Sequence, residues 1–141
     1  MLRRLADLPF LVLLLALAGL AMLLPATHAS VLGDHRLARI FAQSAALVLV
    51  LAAMLALALA NRRGTPAVSG YLPGLAAAYL VLPLVFALPL VLAVRDTSLA
   101  NAWFEMVSCF TTTGASLYDE PGRLDPSLHL WRALVGWMGG F

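Results

Sequence analysis

Three long apolar runs dominate the chain, Leu8–Leu24, Ile40–Ala60 and Tyr71–Val94, and no charged residue interrupts any of them. A hydrocarbon core of about 30 Å takes roughly 17–25 helical residues to cross, and each run falls in that window. None alternates apolar with polar positions as a barrel strand does, so helices are the spanning structure. The first helix is expected over about Leu8–Leu24 and closed by Pro25, which has no amide hydrogen to continue the ladder. A short polar loop with His28, Asp34, His35 and Arg36 follows. The second helix runs from near Leu37 to Ala60. It stops at Asn61-Arg62-Arg63-Gly64, basic residues at a helix end and then glycine. Thr65–Gly70 reads as a linker. The third helix runs from about Leu72 to Val94, with kinks expected at Pro83 and Pro89.

Composition gives the same class. The chain is 62% hydrophobic and 11% charged, whereas a soluble domain carries about a quarter charged residues. The net charge is only +2 and every basic residue is arginine, placed at span ends where long cationic side chains snorkel. No nucleic-acid partner is read from this balance; the partner is the lipid bilayer. Cys109 is the sole cysteine, which excludes a disulfide framework and a cysteine-based metal site.

Arg3 and Arg4 precede the first helix, and Arg62 and Arg63 follow the second. A hairpin puts both pairs on one side, and the positive-inside rule makes that side cytoplasmic, N-terminus included. Arg36 and Arg39 on the opposite side weaken the bias. The third helix then ends outside, at Arg95-Asp96. The N-terminal arginines, the first run and Ala26-Thr27-His28-Ala29 also fit a cleaved signal peptide. The length of the run and the two spans after it favour a first helix that is kept. The composition shift near Gly64 divides the chain into a helix pair, 1–64, and a second module, 65–141.

The stretch after Arg95 carries the chemistry. Leu99–Phe110 has helix-compatible residues but, at about 18 Å, is too short to cross a bilayer. Thr97 or Ser98 can cap its start. Thr111-Thr112-Thr113-Gly114-Ala115-Ser116 follows. Threonines favour extended backbone, and glycine permits positive φ. Unpaired carbonyls at membrane depth need a water-filled cavity or an ion. A ring of them can replace the hydration shell of a potassium ion, with the negative end of the short helix facing the same cation. A short surface helix and a Thr/Gly turn would give the same pattern.

Trp103-Phe104-Glu105 with Thr111-Thr112-Thr113-Gly114-Ala115-Ser116 resembles the first pore loop of the Trk/Ktr/HKT potassium transporters. Trp131-Arg132 and Trp137-Met138-Gly139-Gly140 resemble the start of that family's next helix. The two leading helices match its bacterial Trk type. The resemblance implies an all-α membrane fold: two N-terminal transmembrane helices, then one incomplete repeat of outer helix, pore helix, filter and inner helix. It implies that Thr112, Thr113 and Gly114 supply carbonyls to potassium. Thr111 and Ala115 would stand at the filter's edges, and Glu105 and Ser116 would support it. Gly114 occupies the position where sodium-preferring plant relatives carry serine, which points to potassium.

The resemblance also implies a bacterial cytoplasmic (inner) membrane location, a homodimer and a cytosolic nucleotide-binding regulatory subunit. Potassium enters as transported substrate, and no cofactor is expected in this chain. The family builds its pore from four such repeats. This chain carries one, and Ser127–Phe141 is only about 22 Å long as a helix. The expectation is therefore a front portion that does not conduct selectively alone. The competing reading is a small helical membrane scaffold, in which Thr111–Ser116 tolerates substitution.

An enzyme is not expected. No His/Asp/Glu cluster has ligand spacing, and Ser108 and Cys109 have no base near them in sequence. Asp119, Glu120 and Asp125 either concentrate cations outside the filter or form a solvated loop. Trp103, Trp131 and Trp137 are interfacial anchors, packing residues or both. Gly136-x-x-x-Gly140 allows close helix approach. His28, His35 and His129 read as loop or helix-end residues, and Cys109 as packing.

Overall fold

A computed structural model describes residues 10–59, 71–118 and 120–140. They are mostly helical, with no strand among the described residues. The helices are α1 Phe10–Ala21, α2 Leu23–Val31, α3 His35–Leu59, α4 Tyr71–Ala93, α5 Leu99–Phe110 and α6 Pro126–Gly139, with a 3-10 turn at Pro121–Arg123. Arg3, Arg4, the Asn61–Gly64 stop, the Thr65–Gly70 linker, Asp119 and Phe141 lie outside the described residues.

Pro25 does not close the first span. Helical hydrogen bonding passes the turn at Met22, from the Met22 amide to Ala18 O (3.1 Å) and from the Ala26 amide to Met22 O (3.3 Å). Pro25 is the third residue of α2, where its missing amide hydrogen removes little. Leu11–Val31 thus forms one apolar passage of 21 residues with mean hydropathy 2.1. His28 is inside α2 rather than in a loop. The reversal is confined to Leu32–Asp34. Gly33 takes φ +80° there, and Asp34 Oδ1 accepts from the Leu37 amide at 2.9 Å. That aspartate cap starts α3 at His35, slightly earlier than Leu37.

α3 packs on α1 and α2 through Leu37, Phe41, Ala45, Val48 and Ala52, all buried. Its other face is just as apolar but open: Leu47, Val50, Met54 and Leu57 are 52–78% exposed. A helix that is hydrophobic all round yet buried on one stripe is solvated by lipid. Leu11–Val31 and His35–Leu59 are each long and apolar enough to cross a bilayer. α4 runs through both Pro83 and Pro89 without ending. Arg36 at the start of α3 reaches the Leu92 and Ala93 carbonyls at the end of α4 (3.4 Å each), so these two ends are neighbours.

The core gathers around Trp131 of α6. Its ring meets Phe41 of α3 edge-on at 5.9 Å and Phe86 of α4 at 5.6 Å. Its indole N–H donates to the Phe86 carbonyl at 3.0 Å. Phe86 in turn meets Phe110 of α5 at 5.6 Å. His28 of α2 and Ser127 of α6 share a 2.8 Å hydrogen bond across 99 positions of sequence. α5, the short helix, is held directly by α4 and α6.

Candidate functional site

α5 occupies Leu99–Phe110 as its polar boundaries suggest. Ser98 supplies the cap, its Oγ accepting from the Asn101 amide at 3.1 Å. At the other end the chain closes a Schellman turn. The Thr112 amide donates to Cys109 O (3.0 Å) and the Thr113 amide to Ser108 O (2.9 Å). The Gly114 amide also faces Ser108 O at 3.4 Å. Thr111 Oγ1 donates to Val107 O at 2.8 Å and is hydrogen-bonded to Thr113 Oγ1 at 2.8 Å.

This geometry corrects the expectation of a plainly extended strand. Thr111 has φ −84° and ψ 4°. Thr112 is left-handed at φ +57°, and Gly114 is at φ +77°. The sign of φ thus alternates from Thr111 to Gly114. The orphaned carbonyls at the end of α5 draw the threonine amides back onto the helix, and that outweighs the β preference of threonine. Thr111, Thr112, Thr113, Gly114 and Ala115 are contiguous and all exposed.

Beyond Ala115 the chain climbs back along α5. Ser116 and Leu117 bind Glu105, in the middle of that helix. The Tyr118 hydroxyl is hydrogen-bonded to Thr97 Oγ1, just before the helix starts. Arg123, whose guanidinium lies 5.5 Å from the Tyr118 ring centroid, pairs with Asp96 at 2.6 Å. These pairings run antiparallel. The chain enters along a half-length helix, turns at the threonine–glycine loop and leaves by the side on which it entered.

Glu105 is fully buried. Its carboxylate accepts from Ser116 Oγ (3.0 Å) and from the Leu117 amide (3.0 Å), and is paired with Arg132 Nη2 of α6 at 2.5 Å. Ser116 Oγ also accepts from the Tyr118 amide (3.1 Å) and from Arg132 Nη2 (2.9 Å), which fills its hydrogen-bonding capacity. Glu105 and Ser116 are thus brought together behind the loop.

Arg132 was visible in the sequence only as part of a motif. A signal for its role existed: an arginine in an apolar helix needs an acidic partner, and the short helix carries one acid. Gly139 likewise enters the sequence reading only within that motif. A Cβ on Gly136 would meet Cys109 O at an ordinary 3.5 Å, but one on Gly139 would lie 1.7 Å from Phe110 O. Of these two glycines, Gly139 is the one that lies against the backbone at the end of α5.

The remaining candidates separate. Trp131 is a core residue, whereas Trp103 and Trp137 are on the surface. Glu120 and Asp125 are exposed. His28 packs against Ser127 instead of standing in a loop. Among the described residues no group of His, Cys, Asp and Glu is arranged to hold a metal ion.

Over 53 residues, 38% of its length, the chain is 47% identical to the Trk system potassium uptake protein TrkI of Halomonas elongata. Over 65 residues, 46% of its length, it is 35% identical to an uncharacterized cation transporter of Methanocaldococcus jannaschii. The matched stretches are 11% and 14% of those two proteins, so the chain spans a small part of each. No protein-family model and no solved structure matches it. The chain is an all-helical membrane protein with partial similarity to cation transporters.

Proposed function

We propose that the chain is part of a Trk-type potassium-translocating membrane protein, with Thr111–Ala115 as one wall of its selectivity filter. The observation that carries this reading is the re-entrant course of α5 and the loop after it. The half-helix ends at Thr111, and the chain then returns along it through Glu105–Ser116 and Thr97–Tyr118. In this reading the loop lies at membrane depth, where non-helical backbone requires a water-filled or ion-filled space beside it. The Val107, Ser108 and Cys109 carbonyls at the end of α5 already accept from the loop's amides, so in this reading it is the loop's own carbonyls that face the space.

A potassium ion shed of water needs carbonyl oxygens on several sides. This loop supplies one side, and further repeats of the complete gene product would supply the others. Thr112, Thr113 and Gly114 are the carbonyl donors in this reading, and Thr111 and Ala115 flank them. The Glu105 charge is balanced by Arg132, so the loop attracts the cation through peptide dipoles rather than a free carboxylate. The homodimer, the cytosolic nucleotide-binding subunit, the inner-membrane location and the cytoplasmic N-terminus belong to the same proposal.

The test is complementation of a potassium-uptake-deficient bacterium by the complete gene product that carries residues 1–141. The unaltered protein should restore growth at low potassium, and Gly114→Asp should abolish it. A Cβ at Gly114 would meet nothing within 4 Å, so the effect would come from the φ of +77° and from charge, not from a clash. Gly114→Ser should keep uptake while lowering the rubidium/sodium flux ratio. Growth that survives Gly114→Asp would move the scaffold reading ahead of transport.

A further inference from the structure

The loop has two anchorages of different kinds. Upstream, residues 111–114 hang from the carbonyls of Val107, Ser108 and Cys109 by their own amides. Almost any side chains would preserve that attachment. Downstream, the loop is tied to α5 through Ser116 and Leu117, and both ties end on one carboxylate, Glu105. That carboxylate has no exposure at all. A buried charge without a partner is strongly disfavoured, so these two ties depend on whatever neutralises Glu105, while Tyr118 is held separately by Thr97.

Arg132 does so, and it does more than balance charge. The same nitrogen, Nη2, touches Glu105 Oε1 at 2.5 Å and Ser116 Oγ at 2.9 Å. It therefore fixes the carboxylate and the serine relative to each other. Arg132 adjoins Trp131, which the rings of Phe41 and Phe86 hold in the core. A rigid core position is thereby linked to the residue two places after Gly114.

We infer that Arg132 is a positioning residue for the cation-binding loop, acting through Glu105 and Ser116 to set where Thr111–Ala115 stands. The inference rests on the reading of that loop as a filter wall. A cation selected by carbonyl geometry is sensitive to small displacements of those carbonyls. Loss of Arg132 should therefore change which ion passes, not only how much protein is made.

The experiment compares the complete gene product with Arg132→Gln, Arg132→Lys and the double variant Glu105→Gln/Arg132→Gln. Rubidium uptake and the rubidium/sodium ratio are measured per molecule present in the membrane. Arg132→Gln should lower uptake roughly tenfold, the loss expected when a charge-assisted bond is removed, and should lower the ratio as well. Arg132→Lys keeps a cation with three donors and should hold the ratio near that of the unaltered protein. The double variant leaves no unpaired charge and should accumulate normally, with its ratio lowered about threefold because the tie to Ser116 is weaker.

An unchanged ratio in Arg132→Gln would overturn the inference. If that variant fails to reach the membrane, the double variant decides, and an unchanged ratio there overturns it equally. Should the unaltered protein carry no rubidium, it is the transport reading that fails first.

Discussion

Gly139 lies so close to Phe110 that a Cβ built on it would stand 1.7 Å from the Phe110 carbonyl oxygen and 2.6 Å from the carbonyl carbon. Both partners are backbone, so no rotamer change can relieve the overlap. Gly139→Ala should force α6 away from the end of α5 and destabilise the protein by about 1–3 kcal/mol or more. Gly136→Ala, whose Cβ would meet Cys109 O at 3.5 Å, should leave stability nearly unchanged. Thermal melting of the two purified variants in detergent checks the contrast. Equal melting temperatures would mean that the approach at Gly139 is not a constraint.

Thr112 occupies the left-handed position of a Schellman turn at φ +57°, where glycine is customary. A side chain there costs roughly 1–2 kcal/mol, and strain of this kind concentrates at functional sites. Thr112→Gly should remove that strain, which matches or exceeds the cost of the extra freedom glycine gains when unfolded, about 0.5–1 kcal/mol. Its melting temperature should equal or exceed that of the unaltered protein. Thr113→Gly has no such strain to relieve and should melt lower. The reverse order would show that Thr112 is held without strain.

Why some features were legible and others were not follows from the range of the interactions involved. Leu99–Phe110 could be read because its signals are local: a cap residue at Ser98, a length below a bilayer crossing and a threonine–glycine stop. Pro25 does not act as a stop because a proline's effect depends on where the preceding turn falls, and the turn at Met22 places it in a first helical turn. The alternating hand of Thr111–Gly114 was hidden because threonine's β preference is weaker than the demand of the Ser108 and Cys109 carbonyls for partners. Glu105 and Arg132 are each conspicuous in an apolar sequence. Their union needs α5 and α6 to pack, and no local pattern reports that. His28 with Ser127 is the same case over a longer separation.

Trp131 and Arg132 are neighbours in sequence with separable duties, and that separation can be measured. Trp131 is fully buried, is flanked by the rings of Phe41 and Phe86, and donates its indole N–H to the Phe86 carbonyl. Trp131→Ala should cost about 3–5 kcal/mol by leaving a large cavity among α3, α4 and α6. Trp131→Phe keeps an aromatic ring but loses the hydrogen bond, for about 0.5–1.5 kcal/mol plus a smaller packing loss. The Phe variant should therefore melt several degrees lower while its rubidium/sodium ratio stays put, because Arg132, Glu105 and Ser116 remain joined. Thermal melting and ion flux on the same preparation test this. A fall in the flux ratio in Trp131→Phe would show that the core and the loop behave as one unit and that Arg132 does not position the loop on its own.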